Sequence, residues 1–104
     1  MERQAFRMKL KKGCEAEYER WHKAIWPEVK QLLSENGVTD YSIYFDKETR
    51  YLFAFQKVKG ISGSQDLGDK EIIKKWWHFM KDWMETNTDE SPVSIQLKEI
   101  FHLD

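Results

Sequence analysis

The sequence predicts an α+β fold of order β-α-β-β-α-β, the split-βαβ or ferredoxin-like sandwich. Its sheets are expected to pair face to face in a dimeric α+β barrel. Three observations predict it. Four stretches alternate apolar and polar residues with the period of a half-buried strand. Two longer stretches repeat apolar residues every three or four positions, as amphipathic helices do. A chain of 104 residues leaves room for one core, so residues 1–104 are expected to form a single domain.

The elements follow in order. Residues 4–10 place Phe6, Met8 and Leu10 on one side and Arg7 and Lys9 on the other, which defines the first strand. From Glu15 to Asn36 a stripe of Tyr18, Trp21, His22, Ile25, Val29, Leu32 and Leu33 defines a helix, closed by Asn36-Gly37. Pro27 lies inside that stripe. Its ring removes a backbone donor and clashes with the preceding turn, so the helix is expected to break near Ile25-Trp26, with Pro27 opening a second piece. Residues 39–46 and 50–58 alternate again around the polar Asp46-Lys47-Glu48-Thr49 and read as a β-hairpin. The glycine-containing stretch 59–69 reads as a loop or a poorly formed helical turn. Ile72, Ile73, Trp76, Trp77, Met80, Trp83 and Met84 then mark a strongly amphipathic helix. A polar segment ending in Ser91-Pro92 leads to a last alternating stretch, Ile95 to Leu103, expected as the fourth strand. Helices on one face of the sheet leave the other face bare. Because Phe and Tyr occupy both faces of the strands, a homodimer burying sheet against sheet is the simplest cover.

Composition narrows the function. Seventeen basic residues stand against 18 acidic ones, and with a pI near 6.3 there is no electrostatic footprint for nucleic acid. No apolar run reaches the ~18 residues of a membrane span, and Met1-Glu2-Arg3-Gln4 does not open a signal peptide, so a cytoplasmic protein is expected. A lone cysteine, Cys14, forms no internal disulfide. The three histidines (His22, His78 and His102) are scattered without metal-ligand spacing, and Gly60, Gly63 and Gly68 do not make a phosphate loop. No metal and no nucleotide cofactor is expected.

Apolar weight is concentrated in five Trp, four Tyr and six Phe, and on composition these rings are expected to build the core. Tyr18 and His22 stand four residues apart, which places a phenol and an imidazole on one helical face. Imidazole titrates near about 6.5 and serves as general acid or base at neutral pH, although a histidine on an apolar stripe also serves as a hydrogen-bonded core residue. Trp76 and Trp77 point about 100° apart on their helix, so one can face the sheet while the other reaches a cavity mouth. An indole wall covers the C–H face of a small polyol and donates its N–H to a hydroxyl; the same stripe also builds ordinary core. Tyr41 and Tyr44 lie on opposite faces of their strand, and Tyr41 shares its face with Ile43 and Phe45.

Together these residues resemble the L-rhamnose mutarotase family. The matching segments are Ala5-Phe6-x-Met8, Glu17-Tyr18-x-x-x-His22, Ile25-Trp26-Pro27-Glu28, Tyr41-Ser42-Ile43-Tyr44 with Asp46-Lys47, Trp76-Trp77-x-x-Met80, Ser91-Pro92-Val93-Ser94 and Leu97-x-Glu99-Ile100-Phe101. Each alone is weak, but in this order over almost the whole chain they are specific. Two departures stand out. The 59–69 stretch is poorer in apolar residues than the family leads one to expect, and His102 stands where the family commonly carries Tyr.

The resemblance implies a cytoplasmic homodimer that interconverts the α and β anomers of L-rhamnopyranose without metal or organic cofactor. It implies that His22 is the proton donor and that Tyr18, Tyr41, Trp76 and Trp77 bind the sugar. Ring opening then needs a proton delivered to the ring oxygen and another removed from the anomeric hydroxyl, where Tyr18, Tyr41 and a water are the candidates. Two other readings compete: a dimeric ferredoxin-like monooxygenase or haem-degrading type of protein, and a non-catalytic sugar-binding module.

Overall fold

Residues 2–60 and 63–104 are described in the computed structural model. The elements are β1 (Glu2–Lys9), α1 (Glu15–Lys23), α2 (Pro27–Glu35), β2 (Val38–Phe45), β3 (Tyr51–Val58), a 3₁₀ turn (Ser64–Asp66), α3 (Glu71–Met80) and β4 (Ile95–Leu97). All strand pairs are antiparallel, in the order β2-β3-β1-β4, which is the predicted ferredoxin-like sheet.

Pro27 divides the first helical stretch as its covalent geometry requires. Trp26 takes an extended conformation (φ −57°, ψ 131°) and Pro27 occupies the first position of α2, where its missing N–H has no helical partner to lose. Gly37 ends α2 at φ +79°, a left-handed conformation without penalty for glycine.

Phe6 and Met8 of β1 meet Leu52 and Ala54 of β3 on the helix-facing side, where Tyr18, Val29, Ile73, Trp76 and Met80 close the core. The opposite face carries Tyr44, Phe55, Ile95 and Leu97, all substantially exposed. A second, aromatic cluster centres on Phe79, whose ring lies 4.9 Å from Trp21, 5.2 Å from Trp26 and 5.0 Å from Trp83. The helical stripe read from the sequence omitted Phe79.

Two expectations are corrected. The last helix ends at Met80 rather than Met84; Met84 instead bridges Leu10 beside the sheet. The fourth strand stops at Leu97 instead of running to Leu103. It pairs only with Ala5–Arg7 of β1, and beyond it Ile100, Phe101 and Leu103 project with about four-fifths of their surface exposed.

Candidate active site

A β-bulge in β2 sets the floor of the site. Thr39 pairs with Lys57 and Ser42 with Phe55, so one extra residue is inserted in β2, and Asp40 takes φ +48° to absorb it. Val38 begins the strand facing the helices, paired with the buried Val58. Regular alternation from Val38 would send Tyr41 to the outer face. The inserted residue reverses the parity, so Tyr41, Ile43 and Phe45 face the helices and Ser42 and Tyr44 face away.

Between β2 and the helices opens a cleft of about 1230 Å³. Tyr18 and His22 from α1, Tyr41 from β2, Trp76 and Trp77 from α3 and Ser64 from the 3₁₀ turn all line it. The five residues singled out in the sequence are therefore brought to one cavity.

His22 is held in this lining by ring contacts on two sides. Its ring stacks on Tyr18 with centroids 4.0 Å apart and planes 26° apart, the contact that an i, i+4 spacing allows. Trp76 presents an edge to the imidazole at 5.5 Å, and Trp26 backs Trp76 at 5.0 Å. Nδ1 of His22 lies 2.9 Å from the Tyr18 carbonyl oxygen, which can only accept, so Nδ1 carries the hydrogen. In the neutral ring the remaining nitrogen, Nε2, then bears a lone pair. Burial lowers the imidazole pKa, the bond to the Tyr18 carbonyl opposes this, and burial prevails. His22 is thus neutral at neutral pH.

The two phenols are neutral as well. Burial pushes Tyr18 well above the ordinary tyrosine value, and the nearby Tyr41 adds repulsion against a second phenolate. Tyr41 is raised by burial, partly offset by a hydrogen bond from Ser64. Around His22 the cleft thus offers uncharged donors and acceptors between aromatic walls, a chemistry suited to a polyhydroxylated ligand, while Glu15, Glu19, Lys23, Lys30 and Asp40 add charged groups to its lining.

Trp76 is almost fully buried, and Trp77 is half-buried. Its ring rests on Gly68: a Cβ there would lie 2.8 Å from Cζ3 and 3.0 Å from Cη2 of the indole. Gly68 therefore leaves room for the Trp77 ring by lacking a side chain, while residues 61 and 62 of the same stretch lie outside the described residues.

Gln56 and Ser64 escaped the sequence analysis. Both are buried, and Gln56 Nε2 donates to Ser64 Oγ at 2.8 Å while Ser64 N–H donates to Gln56 Oε1 at 2.9 Å. A signal existed for Gln56: it occupies the helix-facing register of β3 with Leu52, Ala54 and Val58, where a polar side chain needs a partner. No such signal marked Ser64. Among the described residues no three His, Cys, Asp or Glu side chains gather as a metal site. Cys14 is free, with Sγ 3.7 Å from the Lys12 carbonyl oxygen.

Fold and cleft together define a small ferredoxin-like α+β protein with a neutral histidine in an aromatic-walled pocket. Comparison with known proteins gives the class a family. The family profile for L-rhamnose mutarotase matches residues 3–103. The L-rhamnose mutarotase of Bacteroides thetaiotaomicron is 66% identical over 104 residues, covering the whole of both chains, and that of Phocaeicola vulgatus is 59% identical over the same span. The crystal structure of L-rhamnose mutarotase from Formosa agariphila superposes with a TM-score of 0.92 at 56% identity, again over both full chains. The chain belongs to the L-rhamnose mutarotase family.

Proposed function

We propose that this chain is an isomerase that interconverts the α and β anomers of L-rhamnopyranose, with His22 as its catalytic residue and Tyr18, Tyr41, Trp76 and Trp77 as its sugar-binding residues. Family membership supports the reaction. The observation that carries the role of His22 is its hydrogen bond: Nδ1 donates to the Tyr18 carbonyl, which leaves Nε2 of the neutral ring with a lone pair that can accept a proton.

Opening a hemiacetal moves one proton from the anomeric hydroxyl to the ring oxygen, and both oxygens are bonded to the same carbon. In the mechanism proposed, Nε2 of neutral His22 takes the anomeric proton while the C1–O1 bond gains double-bond character and the ring C–O bond breaks. The imidazolium so formed gives its proton to the ring oxygen. His22 therefore acts as acid toward the ring oxygen after acting as base toward the anomeric hydroxyl. Rotation about C1–C2 in the free aldehyde and the reverse sequence close the ring on either face. Proton transfer alone suffices, so the chemistry calls for no metal or organic cofactor. A positioned acid–base group typically contributes 10²–10⁴-fold, adequate for a reaction that water already supports.

The reading includes a cytoplasmic homodimer whose single domain carries the whole site. It is in keeping with the exposed apolar outer face of the sheet and with the absence, among the described residues, of any helix long and apolar enough to cross a membrane.

Saturation-transfer NMR on L-rhamnose tests the function. The wild-type chain should accelerate anomer exchange, and His22→Ala should lose about 10²-fold or more of that acceleration while still quenching or shifting Trp fluorescence on sugar addition. Equal exchange in both proteins would remove His22 from the mechanism. Sugar binding by the wild type without faster exchange would make it a binding module.

A further inference from the structure

The buried pair Gln56 and Ser64 has a direction, and that direction ends on Tyr41. The backbone N–H of Ser64 can only donate, so the Gln56 atom facing it at 2.9 Å is the acceptor Oε1. This sets the orientation of the amide, and its nitrogen must then face Ser64 Oγ, 2.8 Å away, as donor. Gln65 Nε2 approaches the same oxygen at 3.4 Å. With its lone pairs engaged, the Ser64 hydroxyl is left to donate its own hydrogen, and the acceptor in reach is Tyr41 Oη at 3.3 Å. An oxygen that accepts from Ser64 retains its own hydrogen for another partner, and Tyr41 lines the same cleft as His22.

We propose that Gln56 and Ser64 are positioning residues for the anomer-exchange site: through this one-way chain they hold the Tyr41 hydroxyl as a hydrogen-bond donor toward an oxygen of the bound sugar. The inference rests on the sugar reading of the cleft and adds to it the residues that set the polarity of one sugar contact. The last link, at 3.3 Å, is long for an O–H···O bond. Such bonds in a ligand-free site commonly shorten when substrate draws on the far side of the chain.

The backbone is shaped to this purpose. Gly63 packs against the side-chain amides of Gln4 and Gln56, and a Cβ there would collide with Gln4 Oε1 and sit 2.7 Å from Gln56 Oε1. Its N–H donates to Asp66 Oδ2 at 2.9 Å, which closes the 3₁₀ turn and presents the Ser64 N–H to Gln56. The β2 bulge completes the arrangement by turning Tyr41 to the side of the sheet where Ser64 lies. Neither Gln56 nor Ser64 is assigned contact with the substrate; each acts through Tyr41.

A double-mutant cycle separates this role from a structural one. In the wild-type background Ser64→Ala should lower kcat/KM for L-rhamnose anomer exchange about tenfold, the weight of one hydrogen bond. In a Tyr41→Phe background the same substitution should change kcat/KM by less than about twofold, because the hydroxyl it orients is gone. Equal factors in both backgrounds, or no loss in the first, would overturn the proposal. If Ser64→Ala does not fold, the isosteric Gln56→Glu probes the same link. Once ionised, its carboxylate only accepts, so the Ser64 hydrogen turns toward it and away from Tyr41, and the same pair of factors is expected. Should the wild-type chain fail to accelerate exchange at all, the sugar reading fails on that result alone. The chain of bonds is then read from the near-ultraviolet titration of Tyr41, identified by its loss in Tyr41→Phe. Ser64→Ala should move that titration to higher pH, and an unmoved titration would sink the positioning role.

Discussion

At the scale of the residue, the reactivity of His22 is decided by two opposed contacts. The Tyr18 carbonyl favours the imidazolium, whereas burial between Tyr18 and Trp76 disfavours it more strongly, and the pKa falls below the ordinary 6.5. In the proposed mechanism it is the neutral ring that takes a proton from the anomeric hydroxyl. The pH profile follows with a definite sign: kcat/KM should be flat through neutrality and fall about tenfold per pH unit on acidification, with its midpoint below 6.5. Anomer-exchange rates measured by NMR across the acid limb check this. A rate that rises as pH falls would mean that the resting imidazolium is the active form. The same shift bears on stability: as pH falls below about 6.5 the unfolded chain takes up the proton first, so acidification weakens the fold until the native His22 is also protonated. Tyr18 and Tyr41 are raised by burial, so neither phenol ionises in this range.

At the scale of the element, the 59–69 stretch shows how glycine shapes a site it does not enter. Because the Trp77 indole rests on Gly68, Gly68→Ala should push the ring out of place, since its Cβ would come within 2.8 Å of Cζ3. The expected result is sugar affinity weakened about fivefold, with a shifted Trp emission spectrum and His22 chemistry retained at saturating sugar. Unchanged emission and affinity would show that Trp77 does not depend on this contact. Such a contact is not legible in the sequence, because it joins a loop to a helix through tertiary packing. The break at Pro27, by contrast, was fully legible, since a proline acts on its own backbone neighbours and needs no partner. The first three strands were legible for a similar reason: alternation is local. The length of β4 was not, because Phe101 and Leu103 continue the alternating pattern, while pairing within the chain ends where Ala5 meets Leu97. Tyr18, His22, Tyr41, Trp76 and Trp77 could be nominated from residue type and spacing, and the family resemblance joined them. The Gln56–Ser64 link, which depends on how the loop folds back over β3, could not.

At the scale of the whole molecule, the accessible surface is 7151 Å², whereas a compact monomer of 12.6 kDa is expected to expose about 6200 Å². The excess of about 950 Å² is close to the ~800 Å² that each partner contributes to a standard interface. The exposed apolar residues lie largely on one side: Tyr44, Phe55, Ile95 and Leu97 line the outer face of the sheet, and Ile100, Phe101 and Leu103 extend from its β4 edge. Within the outer face Tyr44 and Phe55 meet edge to face at 5.8 Å, an exposed aromatic pair that a second copy of the chain in the proposed dimer would cover. Phe55 faces away from the cleft, so a charge placed there should break the proposed dimer without touching His22. Phe55→Glu should therefore sediment as a monomer at concentrations where the wild-type chain sediments as a dimer. Mass action adds a second readout: the thermal midpoint of the wild type should rise with protein concentration, while that of Phe55→Glu should not. If the wild-type midpoint is independent of concentration and the two proteins sediment alike, the outer face is not the interface.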